Sequence, residues 1–212
     1  GATLQHASGS GIIPGMAMTF DRPMLTVFCG ARTGLSPVHA EDAASIGRAI
    51  ASAGAGLVFG GGRVGLMGVL ADAALEAGAP VYGVIPAGLA AKEIAHGGLT
   101  HLEIVATMHE RKARMAEIAT GFLALAGGFG TLDEFFEIVT WRQLGHHDRP
   151  IVLYNGSGYF DSLLAALKHV ADEGFARDGA EYFTVETEPV AAVRHALDGG
   201  GGRQAAQWRG RP

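Results

Sequence analysis

The chain has few of the residues on which several common classes of protein depend. Cys29 is the only cysteine among 212 residues, so an intramolecular disulfide framework is excluded. Neither a run of 18 apolar residues nor a signal-peptide pattern occurs, so nothing in the sequence indicates membrane insertion or export. These absences favour a soluble, cytoplasmic protein.

Charge is also sparse. Charged residues make up 17% of the chain and the net charge is −5, without the basic excess that typically accompanies nucleic-acid or anionic-membrane binding. The chain has no Gly-Lys pair, which excludes a Walker-type phosphate loop. A mean hydropathy of +0.22 is high for so small a chain, and it favours apolar surface hidden by self-association. We therefore expect a homo-oligomer, most simply a dimer.

What the chain does have is a regular alternation of short apolar runs and helical patterns. This alternation is typical of an α/β fold, a doubly wound, Rossmann-like parallel sheet flanked by helices in three layers, α/β/α. The length fits one domain, predicted over residues 23–198, with a flexible arm at 1–22 and a flexible tail at 199–212. The predicted strands are Met24–Cys29, Gly56–Phe59, Val81–Ile85, His101–Val105, Gly121–Leu125, Ile151–Tyr154 and Tyr182–Val185. The predicted helices are Pro37–Ala53, Gly65–Ala77, Thr107–Ala119, Leu132–Gln143, Phe160–Asp172 and Pro189–Leu197.

The most informative segment is residues 127–134, Gly-Gly-Phe-Gly-Thr-Leu-Asp-Glu. It lies between a predicted buried strand and a predicted helix, where glycines allow close backbone approach and the free N–H groups of the first helical turn favour an anion such as a phosphate. Glu134 falls about one turn into that helix. A carboxylate cannot help to bind a phosphate, so a chemical role for Glu134 has to be considered.

A second glycine cluster, residues 60–68, follows the second predicted strand. Gly60, Gly62 and Gly65 formally match the dinucleotide pattern G-x-G-x-x-G, but no acidic residue lies about 20 positions further on to hold a ribose hydroxyl. The alternative is that these glycines only allow a strand and a helix to pack closely. Two glycine turns at carboxyl ends of parallel strands favour a shared phosphate pocket that includes Gly61, Gly62 and Gly65.

A third segment, residues 107–115, supplies positive charge. Helical spacing places Met108, Arg111, Lys112 and Met115 on one face, and adjacent cations on an apolar face need a ligand, a carboxylate or solvent. The alternative is an ordinary amphipathic helix with solvated basic residues. Because this helix also begins at a strand end, Arg111 would suit a phosphate or a purine nitrogen.

Together, these three motifs resemble the LOG (Lonely Guy) family, cytokinin riboside 5′-monophosphate phosphoribohydrolases formerly labelled lysine decarboxylases. The family pattern P-G-G-x-G-T-x-x-E corresponds to residues 126–134, G-G-G-x-x-G-L-M-G to residues 60–68, and M-H-x-R-K to residues 108–112. The resemblance extends from about Val27 to Val185, and Ala126 replaces the proline of the first motif. Proline there would stiffen the turn without supplying a functional group.

The resemblance implies hydrolysis of the N-glycosidic bond of a nucleoside 5′-monophosphate, with release of an adenine-type base and ribose 5-phosphate. It implies Arg111 and Glu134 as the catalytic pair, no cofactor, and a homodimer with sites near its interface. It also implies nucleotide contacts at Glu93, Arg111, Lys112, Gly127, Gly128, Phe129, Gly130, Thr131, Glu134 and Thr140. Met67 and Met108 are candidates for a pocket around a substituent on the adenine N6 atom, although their flexible chains also suit a core.

Several alternatives stay open at this stage. AMP, rather than a prenylated nucleotide, would be the substrate of a general nucleosidase, and a non-catalytic sensor would bind AMP without releasing base. A pyridoxal-phosphate decarboxylase would need a Schiff-base lysine, and only Lys92, Lys112 and Lys168 are available. We expect no metal at His146-His147-Asp148, which lack ligand spacing and a third partner, and we expect Cys29 to be a buried apolar residue. Glu137 is either a second pocket carboxylate or a helix-surface residue.

Overall fold

The seven predicted strands form one parallel sheet. In the computed structural model, which describes residues 20–91 and 94–198, the strand order is β4-β3-β2-β1-β5-β6-β7. The strands are β1 Met24–Phe28, β2 Gly56–Phe59, β3 Val81–Pro86, β4 His101–Val105, β5 Gly121–Ala124, β6 Ile151–Tyr154 and β7 Thr184–Glu186. All six neighbouring pairs are parallel, as the alternating pattern predicts.

The connections between the strands are helical. The helices are α1 Val38–Ser52, α2 Gly65–Glu76, α3 Ala87–Ala90, α4 Met108–Ile118, α5 Phe129–Gln143, α6 Asp161–Asp172 and α7 Pro189–Asp198. Helix α3 is one turn long, too short for a periodic signal, and it was not predicted.

Two predicted boundaries were wrong by more than one residue. Helix α5 begins at Phe129 rather than Leu132, because the backbone N–H of Leu132 already donates to the carbonyl of Gly128, which caps the helix. Strand β7 begins at Thr184 rather than Tyr182, because Gly179–Glu181 forms a 3₁₀ turn capped by the side chain of Asp178.

The helices cover both faces of the sheet, which confirms the three-layer α/β/α architecture. Alternate residues of β1, Leu25 and Val27, face a core shared with α1, α2 and α7, whereas Met24 and Phe28 face a core shared with α4 and α5. The buried hydroxyl of Thr26 donates to the backbone carbonyl of Met115 at 3.0 Å, which ties β1 to α4. The period-two alternation of β1 therefore separates two apolar cores.

The order of the strands reverses at β1, which pairs with β2 on one side and β5 on the other. In open α/β sheets a crevice forms at such a switch point, outside the carboxyl ends of the strands. The two glycine clusters follow β2 and β5, so both lie at this edge of the sheet.

His147, in the loop after α5, has a structural role. His147 is buried, its Nε2 lies 2.9 Å from the carbonyl of Ile138, and its Nδ1 accepts from the N–H of Arg149. Burial lowers the pKa of His147 to about 4, so it is a neutral structural side chain.

Within residues 20–91 and 94–198, three or more potential ligand side chains do not gather in a metal-binding arrangement. In the same ranges, none of the helices has the length and apolarity needed to cross a bilayer. The predicted tail at 199–212 and most of the arm at 1–22 lie outside the described residues.

Candidate active site

The side chains of Arg111 and Glu134 meet at the carboxyl edge of the sheet. Arg111 lies in the first turn of α4, Glu134 lies in the second turn of α5, and Arg111 Nη1 is 2.8 Å from Glu134 Oε1. Both side chains are almost withdrawn from solvent, with about 11% and 10% of their surface exposed. The two residues are 23 positions apart in the chain, and they form a partly buried ion pair because the fold brings α4 and α5 together.

Three further contacts fix the guanidinium of Arg111. Its Nε donates to the carbonyl of Val84 in β3 at 3.2 Å, and its Nη1 lies 3.3 Å from the sulfur of Met108. Its Nη2 lies against Gly60, where an added Cβ would be only 1.7 Å away. Gly60 thus leaves the space that the guanidinium fills. The sequence predicts Gly61, Gly62 and Gly65 for this site but not Gly60, since nothing local indicates which glycine faces an arginine 51 positions away.

Substituting Gly60 by alanine is expected to lower turnover about 10- to 100-fold, because the methyl group would displace the Arg111 guanidinium by roughly an ångström. The backbone at Gly60 does not have a positive φ, so alanine is not excluded by conformation. Steady-state kinetics of the variant would measure the loss. Gly97→Ala is the matched control, because a Cβ there meets nothing within 4 Å. Equal activity of both variants would contradict the packing argument.

Backbone conformation and close neighbours favour glycine at three positions of the second cluster. Gly65 has φ +61°, and a Cβ on it would lie 2.3 Å from Arg32 N in the loop after β1. Gly61 has φ +72°, and its carbonyl accepts from the N–H of His96. Gly62 bridges to Ala95, and the methyl group of Met67 packs against it. Backbone conformation and these close neighbours are sufficient reason for glycine at the three positions, whether or not they also contact a ligand.

The turn between β5 and α5 presents an open helix N-terminus. Gly128 caps α5 in an extended conformation without a side-chain hydrogen bond, and Gly128, Phe129 and Gly130 are all exposed. The first N–H groups of the helix therefore have no capping side chain, and free N–H groups at a helix N-terminus favour an anion. Phe129 projects almost completely into solvent, with 93% of its surface exposed.

The base of this turn is packed tightly. A Cβ on Gly127 would lie 2.1 Å from the hydroxyl oxygen of Thr131, which is itself buried. The carbonyl of Ala126 accepts from the N–H of Gly30 at 3.0 Å, which joins the turn to the end of β1. The carbonyl of Gly127 accepts from the hydroxyl of Tyr159, a residue outside the three sequence motifs.

Lys112 is held by two carboxylates of α5. Its Nζ lies 3.0 Å from Asp133 Oδ2 and 3.1 Å from Glu137 Oε1. Burial works to lower the pKa of Lys112, but the two carboxylates outweigh it and raise that pKa. Thr140 lies seven positions after Asp133, on the same face of α5. From the sequence, Glu137 is either a second pocket carboxylate or a helix-surface residue. In the structure it is partly buried and pairs with Lys112. Asp133 was missed because its partner is on another helix.

Burial controls the titration of the groups around the ion pair. Burial raises the pKa of Glu134 above its ordinary range, and the guanidinium of Arg111 offsets only part of that rise. Burial, with a smaller contribution from the charge of Glu134, also raises the pKa of the Cys29 thiol at the end of β1. Cys29 is therefore a protonated, buried side chain, which agrees with the sequence interpretation and excludes a thiolate nucleophile at this edge.

The outcome for three other predicted contacts is simpler. Met108 is about half exposed at the start of α4, beside Arg111, whereas Met67 is partly buried against the core. Glu93 lies outside the described residues.

These features define a Rossmann-like protein whose sheet edge has an open helix N-terminus, which favours an anion, and a buried arginine–glutamate pair. The chain matches the family model described as "Possible lysine decarboxylase" over residues 67–196. It is 52% identical to a cytokinin riboside 5′-monophosphate phosphoribohydrolase of Rhodococcoides fascians, over 71% of this chain and 77% of that protein. It is 46% identical to a relative from Oryza sativa subsp. japonica described as a probable enzyme of the same name, over 72% of this chain and 69% of that protein. The chain belongs to this family of phosphoribohydrolases, which are hydrolases of N-glycosidic bonds.

Solved structures of other proteins share the fold. The Moco carrier protein of Chlamydomonas reinhardtii has a TM-score of 0.63 at 21% identity, over 83% of this chain and 98% of that chain. The molybdenum cofactor binding protein of Rippkaea orientalis has a TM-score of 0.62 at 18% identity, over 81% and 93%. At these identities the likeness establishes the architecture alone.

The residues present do not fit the pyridoxal phosphate that a decarboxylase would use. A Schiff base needs a lysine whose amine is free to react. Lys112 is engaged by two carboxylates, and the exposed Lys168 pairs with Asp172 on α6. Lys92 lies outside the described residues. In the part of the chain that the structure describes, no lysine is therefore placed for that chemistry.

Proposed function

We propose that this protein hydrolyses the N-glycosidic bond of cytokinin riboside 5′-monophosphates, that is, of N6-substituted adenosine 5′-monophosphates, and releases the free base and ribose 5-phosphate. The observation that carries the proposal is the Glu134 carboxylate, withdrawn from solvent and held 2.8 Å from Arg111 beside the open N-terminus of α5. The names of the relatives from Rhodococcoides fascians and Arabidopsis thaliana, 52% and 41% identical, support this substrate class.

The proposed binding follows from the direction of α5. The 5′-phosphate lies at the N–H groups of Gly128, Phe129 and Gly130, where the helix dipole favours negative charge. The ribose then extends toward Glu134, one turn and a half along the helix. The nucleotide-contacting residues of the proposal are Gly61, Gly62, Gly65, Met67, Glu93, Met108, Arg111, Lys112, Gly127, Gly128, Phe129, Gly130, Thr131, Glu134 and Thr140. No cofactor takes part in the proposed reaction.

The proposed chemistry uses the two charges of the ion pair differently. As the bond between C1′ and N9 lengthens, positive charge develops on the ribose and negative charge on the departing base. Glu134 stabilises the ribose charge and takes a proton from the attacking water, whose oxygen bonds to C1′. Arg111 anchors the nucleotide and stabilises the leaving base, which gains a proton from bulk water as it departs, and Glu134 then releases its proton to bulk water. Both groups act best where water is largely excluded, as it is around this pair.

The raised pKa of Glu134 gives the proposal a pH dependence. The ionised carboxylate is the active form, so kcat/KM is expected to fall as the pH drops through the pKa of Glu134, above the value of about 4.3 for an exposed glutamate. The substrate phosphate titrates near pH 6, and inhibition by ribose 5-phosphate at each pH would give that contribution separately. A kcat/KM that stayed constant down to pH 4 would contradict a catalytic Glu134.

The decisive experiment is a base-release assay that compares isopentenyladenosine 5′-monophosphate with AMP. Faster release from the prenylated nucleotide supports the proposal. Equal rates would make the protein a general nucleoside-monophosphate nucleosidase, and binding of AMP without release of base from either compound would make it a sensor.

The proposal includes one domain over residues 23–198 and a homodimer. Exposed apolar side chains lie near the N-terminal ends of the helices that follow the strands, and thus at the edge that holds the ion pair: Leu35, Val64, Met108 and Phe129. A second copy would cover them. Sedimentation equilibrium would measure the mass of the assembly, and a monomer at micromolar concentration would overturn the dimer. The cytoplasmic location stays a prediction.

A further inference from the structure

Tyr159 contacts the glycine turn from outside the three sequence motifs. It follows β6, its ring is half exposed, and its hydroxyl donates to the carbonyl oxygen of Gly127 at 2.6 Å. This hydrogen bond joins the loop after β6 to the loop after β5, between residues 32 positions apart in the chain. Since the peptide unit of Gly127 leads directly into the cap of α5, this hydrogen bond acts on the backbone that presents the free N–H groups.

The ring of Tyr159 is itself held in place. It packs edge-to-face against His39 at 5.3 Å and against Phe160 at 4.8 Å. His39 lies close to the loop after β1, since a Cβ on Gly34 would be only 2.9 Å from its ring. The imidazole Nδ1 is buried without a hydrogen-bond partner among the described residues, so His39 serves here as a packing surface. The phenol hydroxyl is consequently aimed at one acceptor.

The turn lacks a stiffening residue of its own. Ala126 leaves φ free to vary before Gly127, where proline would fix it near −65°. None of the hydrogen bonds between described residues uses the N–H of Ala126, so a proline at this position would not break one. The hydrogen bonds that hold the carbonyls of Ala126 and Gly127 come from Gly30 and Tyr159.

We propose that Tyr159 is a positioning residue that fixes the peptide unit of Gly127 and thereby holds the N–H groups of the turn in the orientation that binds a phosphate. A proline at position 126 would restrain the backbone of the turn from within, and the Tyr159 hydroxyl restrains it from outside the turn. The inference rests on the proposed function for the identity of the ligand, a phosphorylated sugar or nucleotide.

Tyr159→Phe tests the inference because it removes only the hydroxyl. Ribose 5-phosphate is the probe, since it carries the phosphate and has no bond for the protein to hydrolyse. Calorimetry should show it binding about tenfold more weakly to Tyr159→Phe than to the parent protein. Tyr154→Phe is the matched control, because its hydroxyl donates to Asp42 at 2.9 Å, away from the turn, and its affinity for the probe should equal that of the parent.

A rescue separates positioning from a general loss of stability. Adding Ala126→Pro to Tyr159→Phe should restore most of the affinity, whereas Ala126→Pro alone should change it less than about twofold. In the base-release assay, Tyr159→Phe should raise KM by the same factor as it raises the dissociation constant and leave kcat nearly unchanged.

The inference is overturned if Tyr159→Phe binds ribose 5-phosphate as tightly as the parent, if Ala126→Pro does not restore the affinity, or if the parent binds ribose 5-phosphate no better than ribose. Failure of the proposed function is a different result. In that case the parent would release no base from any nucleotide, while the difference in ribose 5-phosphate binding between parent and Tyr159→Phe would still be measured.

Discussion

Replacing Glu134 by glutamine is expected to reduce base release by about 10³-fold while the protein remains folded. The substitution keeps the size and one acceptor oxygen of the side chain, so the hydrogen bond from Arg111 Nη1 can persist. What disappears is the negative charge, and with it both the stabilisation of positive charge on the ribose and the ability to take a proton from water. We expect the loss to lie in kcat, because neither effect operates in the ground state.

The chain offers a close control for this variant. Glu103 is also partly buried and also pairs with an arginine of α4, Arg114, at 3.0 Å. Glu103→Gln therefore removes a comparable ion pair away from the proposed site, and its turnover should stay within about threefold of the parent. Thermal unfolding of both variants would test whether any loss comes from stability. Near-normal base release by Glu134→Gln would overturn the assignment.

Replacing Arg111 by lysine is expected to lower kcat/KM by about 10²- to 10³-fold although the positive charge is kept. The planar guanidinium contacts Glu134, the carbonyl of Val84 and the surface of Gly60 at the same time. A lysine ammonium is a compact point charge on a flexible chain, and it cannot reproduce three contacts in different directions. Glu134 would also lose a well-placed partner, so its pKa should rise further and the acid side of the pH profile should move to higher pH.

Arg114→Lys is the matched control for this substitution. Arg114 lies one turn further along α4 and makes its ion pairs with Glu103 and Glu117, away from the glycine turns. Its replacement is expected to leave kcat/KM within about threefold of the parent. If Arg111→Lys and Arg114→Lys had equal activity, the geometry of the Arg111 guanidinium would not matter for the reaction.

Much of the fold could be predicted because its signals are local. The strand from Gly56 to Phe59 is a short apolar run bounded by turn signals, and its predicted ends match those of β2. The boundaries that differ follow from capping. Helix α5 extends back to Phe129 because Gly128 caps it through its backbone, and a backbone cap leaves no side-chain signature in the sequence.

The candidate site could be predicted only in part, and the division has a physical cause. Gly127, Arg111 and Glu134 belong to motifs in which a glycine turn or an unusual charge is visible locally. Gly60 and Tyr159 are not visible in this way, because each matters through a contact with a residue far along the chain. The positive charge of Lys112 is visible in the sequence, but its pairing with Asp133 and Glu137 is not, because both carboxylates lie on another helix.

By itself, the sequence determined the class of fold, the family resemblance and the three segments that supply the glycines, the arginine and the glutamate. Each depends on residue types at fixed short spacing, which helix and strand periodicity convert directly into local structure. The tertiary structure alone decided that Arg111 and Glu134 form a pair 2.8 Å apart, that Gly60 makes room for the guanidinium, and that Tyr159 holds the turn. Those contacts depend on the parallel direction of the strands, which puts their carboxyl ends at one edge of the sheet, and on the strand order, which places β2 and β5 on either side of β1. The number of residues between two positions in the chain does not predict how far apart their side chains lie in the fold.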